Sequence, residues 1–236
     1  MIPDYSKEKL LIDADIKGPG KAVGPYFDET PLKDSLGATL QELQLDGDVN
    51  ARLHLDIPLN GELVTAKGEV TLRNNSLFIK PLDSTLKNLS GKFSFINGDL
   101  QSEPLTASWF NQPLNVDFST KEGAKAYQVA VNLNGNWQPA KTGVLPEAVN
   151  EALSGSVAWD GKVGIDLPYH AGATYNVELN GDLNNVSSHL PSPLAKPAGE
   201  PLAVNVKVDG NLNSFELTGQ AGACLLYTSP SPRDTE

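Results

Sequence analysis

Residues 48–59 read DVNARLHLDIPL. Val49, Ala51, Leu53, Leu55, Ile57 and Leu59 take the odd positions, and Asn50, Arg52, His54, Asp56 and Pro58 the even ones. Successive side chains of a β-strand point to opposite faces, so this segment predicts a strand with one apolar and one polar face. The same beat recurs along the chain, at Val70/Leu72, Leu77/Ile79, Phe93/Phe95, Leu105/Ala107/Trp109 and Leu114/Val116/Phe118. It continues at Tyr127/Val129/Val131/Leu133, Val157/Trp159, Val163/Ile165/Leu167, Tyr175/Val177/Leu179, Leu202/Val204/Val206/Val208 and Phe215/Leu217, and it opens at Leu10/Ile12/Ala14/Ile16. The fold class is therefore mainly β, with about a dozen strands.

Turn chemistry points the same way. Asn-Gly stands at residues 60–61, 97–98, 134–135 and 180–181, and Asp-Gly at 46–47, 160–161 and 209–210. These pairs tolerate the positive φ of tight hairpin turns, so each is expected to join antiparallel strands, and Asp160-Gly161 to close a hairpin between Trp159 and Val163. Two short amphipathic helices are expected. One is capped by Thr30 and carries Leu32, Leu36, Leu40 and Leu43 on one face; the other starts at Pro146, carries Val149 and Leu153, and stops at Gly155. Each leads into a Gly-x-Val strand ending at Pro58 or Pro168, which suggests degenerate repeat units near 30–140 and 144–222. Residues 1–222 are taken as the β region. Met1 is followed by neither a basic nor an apolar leader segment, and both ends read as cut. Ala223–Glu236, ACLLYTSPSPRDTE, has no alternation and resembles translated sequencing-adaptor read-through, so a disordered foreign tail is expected there.

Composition excludes several functions. With 18 Lys+Arg against 29 Asp+Glu the chain carries −11, which is wrong for a phosphate backbone, and no nucleic-acid partner is expected. No apolar run is long enough to span a bilayer as a helix. The single Cys224 rules out a disulfide framework and a Cys-based zinc site. Asp46, Asp48 and Asn50 match the start of a calcium loop, but Ala51 and Ile57 stand where Gly and Glu are needed. Gly18-Pro-Gly20-Lys21 lacks the spacing of a phosphate-binding loop. Asp13 and Asp15 share a strand face as paired catalytic carboxylates would, yet Ile12, Ala14 and Ile16 opposite them mark that face as the solvated one. His54, His170 and His189 have no metal or triad spacing, and His54 belongs to the polar face of its strand. No nucleophile elbow occurs. The sequons at Asn74, Asn88 and Asn185 are short enough to arise by chance. No catalytic residue, metal or cofactor is read, and the chain is not expected to be an enzyme.

What remains is a dozen one-sided strands that must hide their apolar faces. They can close on each other as a structural β-sandwich that binds protein partners. Alternatively they form a curved antiparallel sheet whose concave side is a hydrophobic groove shielded by lipid. An acyl chain gains about 0.8 kcal/mol per CH₂ taken from water, so such a groove holds lipid strongly. Trp109, Trp137 and Trp159, with Phe93 and Phe95, fit either a ligand surface or strand core. The candidate groove residues are Leu53, Leu55, Ile57, Val70, Leu72, Phe93, Phe95, Val129, Val131, Val163, Ile165, Val177, Leu179, Val204 and Val206.

The order of segments carries a resemblance. GPYFDETPLKDSLGATLQELQLDGDVNARLHLDIPLN (24–60) is followed by GEVTLRNNSLFIKPL (68–82) and LKNLSGKFSFINGDL (86–100), then by GNWQPAKTGVLPEAVNEALSG (135–155) and HLPSPLAKPAGEPLAVNVKVDGNL (189–212). Over residues 1–222 the chain resembles the central region of an AsmA-like protein of Gram-negative bacteria. The resemblance implies an extended periplasmic β-structure with a hydrophobic groove, tethered by an inner-membrane helix outside this region. It further implies phospholipid acyl chains as partners and a part in lipid movement that supports the outer-membrane permeability barrier.

Overall fold

The computed structural model describes residues 9–22, 43–192, 194–211, 213–222 and 224–228. They form sixteen strands and one short α-helix, and the chain divides into two compact units. Unit 1 comprises residues 1–105 and 119–122, and unit 2 residues 106–118 and 123–236.

Unit 1 contains β1 (Lys9–Pro19), β2 (Leu43–Asp46), β3 (Asp48–Pro58), β4 (Thr65–Ile79), β5 (Ser84–Ile96) and β6 (Asp99–Ser102). They pair antiparallel in the order β1-β3-β4-β5-β6, with β2 beside the far half of β4. Asn60-Gly61 and Asn97-Gly98 make the expected hairpins, with Gly61 at φ 87° and Asn97 at φ 52°. Val70/Leu72 and Leu77/Ile79, expected as separate strands, are one 15-residue strand broken by a register shift against β5 around Asn75. Asn75 is 1% exposed. Its Nδ2 donates to the carbonyls of Asp46 (3.0 Å) and Asp48 (3.1 Å), and its Oδ1 accepts from the Arg73 amide at 2.8 Å. That side chain ties down the step from β2 to β3, where Gly47 takes φ 94°. Among the described residues of this unit, Val49, Leu72, Leu86, Leu89 and Leu105 are the buried apolar ones.

Unit 2 is built from β7 (Leu105–Trp109), β8 (Gln112–Glu122), β9 (Ala126–Trp137), α1 (Glu147–Ala152), β10 (Leu153–Gly155), β11 (Val157–Pro168), β12 (Thr174–Asp182), β13 (Val186–Ser188), β14 (Ala203–Asn211), β15 (Phe215–Ala221) and β16 (Cys224–Thr228). The last four residues of β8 belong to unit 1 and Leu105 does as well. The main order is β8-β9-β11-β12-β14-β15-β16, antiparallel where the register is defined, and β10 with β13 makes a separate two-stranded sheet.

Several expectations change. Asn134-Gly135, Asp160-Gly161, Asn180-Gly181 and Asp209-Gly210 are not turns; they lie inside β9, β11, β12 and β14. At Gly135 and Gly161 the reason is packing. A Cβ on Gly135 would stand 2.8 Å from Trp137 Nε1 and 3.0 Å from Trp159 Nε1, and one on Gly161 would stand 2.7 Å from a Leu179 methyl. Glycine there leaves room for a neighbour's bulk to lie flat on the sheet, a use of glycine that the dipeptide alone does not reveal. The Pro146 helix forms as Glu147–Ala152 and ends early, because Leu153–Gly155 pairs with Val186–Ser188. The Thr30 helix lies outside the described residues except for Leu43, which opens β2 instead. Residues 224–228, expected to be disordered, pair with Leu217–Ala221 as β16. Without β16 the edge of β15 would offer donors and acceptors to any extended neighbour.

Candidate functional site

Cross-strand partners in an antiparallel pair share a face, so the register sorts every side chain. In unit 1 one face collects Ile12↔Leu55, Leu10↔Ile57 and Ala14↔Leu53 from β1 and β3, then Ala51↔Val70 and Val49↔Leu72 from β3 and β4, then Val70↔Phe93 and Gly68↔Phe95 from β4 and β5. All seven unit 1 candidates are on this face. The opposite face is charged. His54 Nδ1 lies 2.7 Å from Asp13 Oδ1, Lys9 Nζ is 3.1 Å from Asp56, Arg52 Nε is 3.7 Å from Asp15, and Lys92 Nζ donates to Glu69 at 2.9 Å. Asp13, Asp15 and His54 thus occupy the solvated side, as the alternation implied.

Unit 2 repeats the arrangement with longer rows. Val131 faces Val163, which faces Val177, which faces Val208, which faces Leu217. The adjacent row runs Val129–Ile165–Tyr175, and the row on the other side runs Leu133–Gly161–Leu179–Val206. Beyond it lie Gly135, Trp159, Gly181 and Val204. All eight unit 2 candidates therefore share one face. Its polar counterpart is an amide–carboxylate ladder: Asn132 donates to Asp117 (2.7 Å), Asn115 to Asn134 (3.0 Å), Asn205 to Asn180 (2.7 Å), Asn180 to Asp160 (3.2 Å), and Gln128 to Asp166 (2.9 Å).

Of the fifteen candidates only Leu72 is buried, at 4% exposure, and the other fourteen are half-buried. On β1 the same face is more open, with Leu10, Ile12 and Ile16 at 48%, 38% and 47% exposure. Two concavities lie elsewhere. One of about 450 Å³ in unit 2 is lined by Asp160, Asn180, Asp182, Asn205 and Gln220, and one of about 420 Å³ in unit 1 by Asp13, Arg52, His54, Lys67 and Glu69. Both open mainly on the polar faces. Of the candidates, Val204 borders the first, and Leu53 and Phe95 the second.

The tryptophans settle at one end of the unit 2 face. Trp109 stacks on Phe110 (4.7 Å between centroids) and meets Trp137 edge-on (6.2 Å), and Trp137 meets Trp159 edge-on (4.8 Å). Trp137 Nε1 donates to the Pro113 carbonyl at 2.6 Å. Trp159 Nε1 is buried without an oxygen partner, beside the Trp137 ring. Phe93 and Phe95 belong to unit 1. Sequence reading passed over Leu133, Leu167 and Val208 as candidates, although their phase matches that of Val131, Ile165 and Val206. It also missed the glycines that keep the face low, because they read as turns. Among the described residues no helix is long and apolar enough to cross a membrane, and no cluster of three metal-ligating side chains occurs.

A family model described as YhdP protein matches residues 1–230. The chain belongs to the YhdP family. It is 98% identical over 223 residues to the Escherichia coli (strain K12) protein named intermembrane phospholipid transporter YhdP. The match takes in 94% of this chain and 18% of that relative, so the chain spans less than a fifth of the YhdP protein it resembles. No solved structure matches it.

Proposed function

We propose that this chain is a segment of a periplasmic bridge that carries phospholipid between the inner and outer membranes, with acyl chains lying against the apolar sheet faces. The observation that carries this reading is the burial of the candidate side chains. Fourteen of fifteen are half-buried although each stands in a register-matched apolar row. A protein core normally takes such residues fully out of water, and partly exposed rows of Val, Ile and Leu offer a surface to an apolar partner. The relative's name, an intermembrane phospholipid transporter, supplies the chemistry of that partner. Binding is collective: no residue is essential alone, no bond is broken, and neither cofactor nor nucleic acid has a part. Anchorage in the inner membrane would come from outside this chain.

The rival is a structural β-sandwich that binds protein partners. It needs a second sheet packed over each apolar face. Among the described residues the sole separate sheet is the three-residue pair β10 and β13, too small to cover rows five strands wide.

The test places a photoreactive amino acid at Val131 in the full-length protein and identifies crosslinked lipid by mass spectrometry. Phospholipid adducts are expected at Val131 and at Leu55, and none at Asn132 on the opposite face. Equal labelling of both faces, or protein adducts alone, would reject the lipid reading. Replacing Leu55 or Val131 by Asp, with protein levels unchanged, is expected to weaken the outer-membrane permeability barrier.

A further inference from the structure

The two ends of the unit 2 apolar face differ chemically. At one end the half-buried indoles of Trp109, Trp137 and Trp159 pack on each other. At the other end β9 and β11 run out together, with Leu167 opposite the fully buried Tyr127 and Pro168 opposite Ala126, and the partly exposed rows begin at Val129 and Ile165. Pairing continues one step further, since the Tyr169 amide donates to the Lys125 carbonyl at 3.2 Å. Lys125 and Tyr169 are thus opposed, in the same phase as Tyr127 and Leu167. The Tyr169 hydroxyl donates to the Gly123 carbonyl at 3.0 Å, which holds its half-buried ring at the rim. Lys125 is exposed, and among the described residues no carboxylate or hydrogen-bond partner meets its ammonium. In a chain of net charge −11, an unpaired cation at the edge of an apolar face is a position where charge and greasy surface meet.

We propose that Lys125 contacts the phosphate of a phospholipid whose tails lie over the aliphatic rows beginning at Val129 and Ile165. This inference rests on the lipid reading above and adds an orientation to it. An ammonium is a compact point charge suited to phosphate, and its long stem lets it reach past the rim while the tails stay on the dry rows. The tryptophan end offers no equivalent. Its nearest turn carries Lys141, but α1, bearing Glu147 and Glu151, packs against that turn.

The experiment compares capture of two oleoyl lipids by the purified full chain, phosphatidylglycerol and diacylglycerol, which share tails and differ in phosphate. Wild type is expected to retain both, with phosphatidylglycerol favoured. Lys125→Glu is expected to lower phosphatidylglycerol capture about tenfold, the loss of one charge-assisted contact, with diacylglycerol unchanged. Lys125→Ala should fall in between, and Lys141→Glu should change neither. Equal phosphatidylglycerol capture by wild type and Lys125→Glu overturns the phosphate contact and leaves the lipid face standing. So does parallel loss of both lipids in Lys125→Ala with an unchanged unfolding midpoint. Capture of neither lipid by wild type overturns the lipid face itself.

Discussion

Glu69 accepts a hydrogen bond from Lys92 Nζ at 2.9 Å across β4 and β5, and that bond holds its carboxyl below its ordinary range, aided by the charges of Lys92 and Arg52. A group whose folded pKa lies below its unfolded one stabilises the fold above the unfolded value and loses that contribution as pH falls through the folded value. The urea midpoint of the wild type should therefore drop more steeply between about pH 5 and about pH 3 than that of Glu69→Gln. Equal slopes would mean the pair sets register without affecting stability, as exposed ion pairs often do. Asn75 matters more. It is buried, and it satisfies two carbonyls and one amide at the step between β2 and β3. Asn75→Ala leaves those groups without partners and should cost about 1–3 kcal/mol in urea denaturation. Neither role was legible in the sequence, where Asn74-Asn75-Ser76 read only as part of a chance sequon. A side chain that bonds backbone 27 and 29 residues away leaves no local signature.

At the level of strands, the alternation of residues 48–59 was enough to identify β3 and its two faces, and the same reading placed most of the other strands. It failed at strand ends. β9, β11, β12 and β14 run through points where an Asn-Gly or Asp-Gly pair suggested a turn. Gly135 shows why. It lies opposite Trp159, within β9, and both Trp137 and Trp159 lean over it. Gly135→Ala puts a methyl where two indole nitrogens sit, and overpacking of this kind should cost about 1–3 kcal/mol and shift the tryptophan fluorescence. Gly18→Ala in β1 is the matching control. A Cβ there meets nothing within 4 Å, so the change should leave stability equal or raise it by up to about 1 kcal/mol. If both variants behave alike, the packing explanation for the mid-strand glycines fails.

Across the molecule, each unit presents one apolar and one polar sheet face, and strand β16 covers the edge of β15. Ending the chain at Gly222 would leave the donors and acceptors of Leu217–Ala221 open, and sedimentation velocity should then show concentration-dependent self-association absent from the full chain. A truncated chain that stays monomeric would show that β15 needs no cover. The fifteen candidate residues were legible from period-two alternation because that period follows from the geometry of a single extended chain. Which strands stand side by side, and therefore that Val131, Val163, Val177 and Val208 form one row, required the register between strands far apart in sequence. The position of Lys125 at the end of such a row required the same, as did the finding that the concavities open mainly on the polar faces. By itself the sequence determined that these strands have one greasy side. Only the tertiary structure decided that this side stays partly exposed, because burial depends on what else packs against a face, and alternation says nothing about that.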